Sequence, residues 1–139
     1  MKLIITGHSG RDKRRIRALI EKHTDLRVTK KYPWLQEFIA GTMDCAILHP
    51  RTVLSYPEIS VEQGMREVDL IKDNKVTVIF IESSKKSSGA ITLAEQAKLN
   101  KDIITLRMSH IVFKHNMNIL KERLRTTLKG IWKDDVQEQ

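Results

Sequence analysis

The chain is poor in several residue types that define whole protein classes. Among 139 residues it has one cysteine, three prolines and six glycines, and aromatic side chains make up only 5%. A single thiol cannot close an internal disulfide, and no Cys/His spacing in the chain suggests zinc. Cys45 sits in the apolar run Asp44-Cys45-Ala46-Ile47-Leu48, which reads as a buried strand with an inert core thiol. No apolar run approaches the roughly 18 residues of a membrane span. The N-terminus has Lys2 but lacks the apolar core of a signal peptide, so a cytoplasmic protein is expected. Basic and aromatic residues are not interleaved as they are in stacking surfaces for single-stranded nucleic acid. Trp34 and Trp132 read as core or interface packing.

What the chain does have is positive charge. Lys and Arg total 25 against 17 acidic residues, a formal net charge of +8. That balance favours anionic partners: nucleic acid, nucleotides, phosphate or acidic proteins. With 40% hydrophobic and 30% charged residues, the composition is that of an ordinary globular domain with enough apolar mass for one core.

Hydrophobic periodicity alternates along the chain. Leu3-Ile4-Ile5-Thr6 reads as a buried strand ending at Gly7 and Gly10, and Ile16, Leu19 and Ile20 then repeat at helical spacing over about 11–23. Leu26 to Lys31 is a weaker, alternating strand. Pro33 fits the first turn of a short helix with Leu35, Phe38 and Ile39 on its apolar face, ended by Gly41. Cys45 to Leu48 is a third strand, and 51–59 a loop. Ser60 and Gln63 form a capping-box signal before the stripe Val61, Met65, Val68, Ile71. Val76 to Ile81 is the strongest strand, apolar enough to be covered on both faces. A Ser/Lys loop, a helix over about 90–100, a strand over 103–107 and a helix carrying Phe113 to Ile131 complete the pattern. The expectation is a three-layer, doubly wound α/β domain over 1–133 with a five-stranded, mainly parallel sheet of Rossmann or flavodoxin-like type, and a polar tail over 134–139.

In such sheets ligands bind beyond the carboxyl ends of the strands. Those ends carry Gly7, His8, Ser9, Gly10, Arg11, Lys13 and Arg14 after the first strand, and His49, Arg51 and Thr52 after the third. Ser83, Ser84, Lys85, Ser88 and Gly89 follow the fourth, and Arg107, Ser109 and His110 the fifth. A glycine-rich turn leading into a helix aims free N–H groups at an anion. Arg11, Lys13, Arg14 and Arg15 crowd the positive end of that helix, where each cation costs roughly 0.3–1 kcal/mol. Such a local conflict is where function is expected to override stability. His8, His49 and His110 read as solvated histidines, since no partner carboxylates accompany them. A second basic feature is the stripe Lys114, Lys121, Arg125 and Lys129 on one face of the last helix, which could follow a phosphate backbone.

The first loop resembles a Walker A loop in Gly7, Gly10 and Lys13. Asp12 stands where the second glycine of that motif belongs, and Arg14 where its magnesium-binding hydroxyl belongs. Over most of its length the chain also resembles a response-regulator receiver domain of the CheY-like, flavodoxin-like class. The likeness runs through Arg15 to Glu21, Asp25 to Val28, Asp44 to Pro50, and Val78-Ile79-Phe80-Ile81-Glu82-Ser83. That resemblance implies a flavodoxin-like fold, but its chemistry is absent. Gly7 and His8 replace the acidic pair, His49 the phosphoacceptor Asp, and Arg107 the Lys. It therefore implies a pseudo-receiver that binds or dimerises. Ser88-Gly89-Ala90 is similar to nucleoside deoxyribosyltransferase-like domains, although Leu93 stands where their Glu is expected and Glu95 lies two further on.

The functional expectation is a non-catalytic regulatory or interaction module with a basic anion-binding edge, needing no cofactor and open to self-association. One alternative is a nucleotide- or nucleoside-processing enzyme using Glu82, Glu95 or a rim histidine. The other is a nucleic-acid-binding protein using the last helix.

Overall fold

A computed structural model describes residues 1–7, 10–52, 61–83, 103–108 and 113–134. Outside them lie Ser60 of the expected capping box, the helix expected over 90–100 and the tail beyond 134. Among the described residues the strands are β1 (Leu3–Gly7), β2 (Cys45–Ile47), β3 (Thr77–Ser83) and β4 (Ile103–Met108), and the helices are α1 (Gly10–His23), α2 (Leu35–Ala40), α3 (Val61–Asp73) and α4 (Phe113–Thr127).

The strands form one four-stranded sheet in the order β2-β1-β3-β4, parallel throughout. Leu3 pairs with Cys45 on one side and Thr77 on the other. The inner position of β1 and β3 follows from their nearly continuous apolarity, which suits strands covered on both faces. Successive side chains of each strand feed opposite cores. Ile4, Ala46, Val78 and Phe80 pack with Leu35 and Phe38 of α2 and Ile71 of α3. Leu3, Ile5, Ile47, Ile79 and Ile81 pack with Ile16 and Ile20 of α1 and with Leu120 and Leu124 of α4. Helices thus cover both faces, giving the three-layer α/β arrangement.

Two finer expectations are not met among the described residues. Five strands are not seen among the described residues. Residues 26–31 contribute only a parallel bridge between Val28 and Cys45. Local side-chain bonds compete with the ladder there. The Asp44 carboxylate accepts the Arg27 N–H at 2.8 Å, and the Thr29 hydroxyl accepts the Lys31 N–H at 3.1 Å. The strand order also departs from the flavodoxin-like one, which seats the first strand between the second and third. Here β1 lies between β2 and β3, with the 26–31 segment outside β2. A place beside β1 demands apolar side chains on both faces. Cys45-Ala46-Ile47 meets that demand, whereas Arg27, Thr29 and Lys31 do not.

The ends of the elements are tied by named groups. The Lys2 ammonium donates to the Phe38, Gly41 and Met43 carbonyls at 3.0, 2.7 and 2.6 Å, closing the negative end of α2. Pro33 precedes α2, which starts at Leu35 with Trp34 as its cap residue. Burial pushes the Cys45 thiol up to about 12, so it stays protonated and unreactive at neutral pH.

Candidate anion site at the strand-exit edge

The first exit loop begins with a backbone requirement. Gly7 has φ 134, and a Cβ there would lie 2.3 Å from the Ile81 carbonyl oxygen. Only glycine lets β1 run against β3 to its last residue and then turn away. The first residue of α1 is Gly10. The second exit loop is held beside it. Thr52 is fully buried, its hydroxyl 3.4 Å from that of Thr6 in β1. Its N–H donates to the His49 carbonyl at 3.1 Å.

Between these exits lies a cavity of about 200 Å³. Gly10, Lys13 and Arg14 line it from α1, Ile47, Leu48 and Pro50 from the end of β2, and Tyr32 closes a third side. One of its lining cations is in an unusual state. Lys13 is only 7% exposed. Burial holds its ammonium below the ordinary lysine pKa, and the neighbouring Arg14 charge lowers it further. Among the described residues no carboxylate pairs with it. One turn along α1, Arg17 is 9% exposed, and its Nη1 is buried without a hydrogen-bond partner. Its guanidinium stands 5.8 Å from the centre of the Tyr32 ring. Buried charges in proteins are ordinarily paired, because an isolated one costs several kcal/mol. Two such cations at i and i+4 on one helix form a local field that an anion would relieve.

The expected rim is partly assembled and partly dispersed. Gly10, Lys13 and Arg14 share the cavity, and Arg11 and Arg51 are exposed nearby in sequence. Arg15 is drawn off by Asp12, a 3% exposed carboxylate 3.3 Å away. Asp12 is therefore an acidic counterweight that the charge pattern alone did not credit. His49 is engaged structurally. Its ring stacks on Trp34 at 4.0 Å, and its Nδ1 accepts the Arg51 N–H at 3.2 Å. Ser83 ends β3 at the same edge of the sheet, and Arg107 pairs with Glu82 in register. His8, Ser9, Ser84, Lys85, Ser88, Gly89, Ser109 and His110 lie outside the described residues, as do the side chains of Ser83 and Lys114. On α4 the basic stripe is interrupted by acid. Arg125 pairs with Glu122 and reaches Asp134 at 3.7 Å, while Lys129 beyond the helix is exposed.

Sequence reasoning missed Arg17 and Tyr32. A signal for Arg17 was present: Lys13 and Arg17 are four apart and interdigitate with Ile16 and Ile20, so both belong to the buried face of α1. Nothing in the local sequence foretold Tyr32, whose position depends on the bridge at Val28.

No family model matches the chain, and no curated protein matches it. Among solved structures, the chain is similar to the solution NMR structure of a de novo designed PLOOP2X3_50 fold protein. The TM-score is 0.57 at 13% sequence identity, over 94% of this chain and 96% of the design. That likeness concerns the fold.

Proposed function

We propose that the chain is a binding module for a small phosphate-bearing anion, taken at the cavity between the exits of β1 and β2, with occupancy of that site serving regulation or partner interaction. The observation that carries this reading is the desolvated Lys13 ammonium, which has no carboxylate partner among the described residues and lines that cavity. The supporting geometry is the N-terminus of α1, whose first residue, Gly10, lines the cavity; helix N-termini favour anions. The volume, about 200 Å³, is below the several hundred Å³ of typical cofactor pockets. It suits a phosphate or diphosphate group better than a whole dinucleotide. Among the described residues the cavity is lined by cations, a tyrosine and apolar groups, with no carboxylate, which suits an anion.

The test is the Lys13→Met variant, which keeps the apolar stem and removes the charge. Pyrophosphate titrated calorimetrically is expected to bind the natural chain and to bind the variant about ten-fold or more weakly, the scale of one lost charge-assisted hydrogen bond. The ligand-free variant should be more heat-stable than the natural chain. A variant that is both less stable and equally able to bind pyrophosphate removes the proposal.

A further inference from the structure

The sequence suggested no stacking surface for nucleic acid, but the structure leaves two aromatic side chains exposed near the anion site. Tyr32 and Trp34 are 45% and 43% exposed, two positions apart around Pro33. Trp34 has extended backbone, φ −71 and ψ 156. Two residues of extended chain span at most about 7 Å, a step on which successive unstacked bases can be seated. Trp34 is not a loose side chain, because its ring is stacked on His49 with the planes 17° apart. It is held as a platform.

Each aromatic also borders its own cavity. Tyr32 lines the cationic one. Trp34 lines a second, of about 280 Å³, together with Leu35, Gln36, Arg66, Glu67 and Leu70. The Trp34–His49 stack stands between the two, since the chain neighbours of His49, Leu48 and Pro50, line the first. Cations recur along this track. Lys13 and Arg14 lie at one cavity and Arg66 at the other, with Arg51 exposed next to Pro50. A single mononucleotide would occupy one cavity and leave the other aromatic unused. A duplex hides the base faces that the aromatics would meet.

We infer that this edge binds single-stranded nucleic acid, with a phosphate in the Lys13 cavity and neighbouring bases stacked on Tyr32 and Trp34. The inference rests on the anion site proposed above and names its ligand class. The overall charge of +8 supplies the long-range attraction.

The experiment compares an oligothymidylate of about twelve nucleotides, a duplex of equal length and pyrophosphate, each titrated into the natural chain, Trp34→Leu and Trp34→Phe. The oligothymidylate is expected to quench the exposed Trp34 emission and to bind more tightly than the duplex, with affinity falling as salt rises. Trp34→Leu should weaken it about ten-fold or more, the scale of one lost base–aromatic stack. Trp34→Phe should restore most of the affinity, and pyrophosphate should bind all three proteins alike. Equal affinity for single strand and duplex overturns the inference, as does an oligothymidylate affinity unchanged in Trp34→Leu. If pyrophosphate binds and oligothymidylate does not, the nucleic-acid inference fails alone. If neither binds, the anion site fails with it.

Discussion

The two ends of α1 are built to opposite standards. At its C-terminal end the charged and backbone groups are satisfied. The Thr24 hydroxyl donates to the Ile20 carbonyl at 2.7 Å, the Lys133 N–H to the His23 carbonyl at 2.7 Å, and His23 Nδ1 to the Lys133 carbonyl at 2.8 Å. Lys133 reaches Asp25 at 2.6 Å, and Trp132 stacks on His23 with centroids 4.4 Å apart. The groups left over are the ring nitrogens His23 Nε2 and Trp132 Nε1, each a loss on the scale of one hydrogen bond, about 1–3 kcal/mol. At the N-terminal end the leftovers are cationic: the Lys13 ammonium and one arm of Arg17. One end is finished as structure. The other leaves a buried ammonium without a carboxylate partner among the described residues.

That contrast can be broken from either side. The largest effect should come from Trp132→Ala, which removes a 9% exposed ring from the core beneath α4. A loss of about 3–5 kcal/mol is expected in urea unfolding, while the pyrophosphate affinity of the folded fraction should not change. Gly7→Ala comes next. Its Cβ would meet backbone rather than a movable side chain, at a φ reserved for glycine, so a loss of about 3 kcal/mol is expected. Unlike Trp132→Ala, it should also weaken anion binding, because the β1 exit must shift.

The smallest effect is the most diagnostic. The folded-state pKa of Lys13 lies below the unfolded value. In the interval between the two, the unfolded chain binds more protons than the folded one, so stability rises with pH there. Below that interval the full penalty of the buried ammonium is present; above it the penalty is gone. Melting temperatures across the alkaline range should show this rise in the natural chain and lack its Lys13 component in Lys13→Met. Saturating pyrophosphate should flatten it. A natural chain and variant with identical profiles would mean that Lys13 is solvated.

Much of the fold was legible because it depends on local pattern. The unbroken apolar run from Val76 to Ile81 marked an inner strand, and Gly7 marked the end of β1. Residues 26–31 misled, because alternation alone cannot reveal that Asp44 takes the Arg27 N–H. The order of strands was not legible either, since it is decided by competition for the places beside β1. The candidate site was half readable. Lys13 and Arg14 stood out as cations at a helix start, whereas Arg17, one turn further along the apolar face, was not counted with them. Trp34 was read as core or interface packing; it caps α2 and stays 43% exposed.

The inner position of β1 has a bearing on how the chain acquires its shape. β1 is synthesised before both of its neighbours, and its hydrogen-bonding edges are completed only when residues 45–47 and 77–83 arrive. Until then a five-residue strand with every position destined for burial is an unsatisfied template, open to pairing with another nascent chain. Its short length and the Lys2 charge just ahead of it are the safeguards present in the chain against that misassembly.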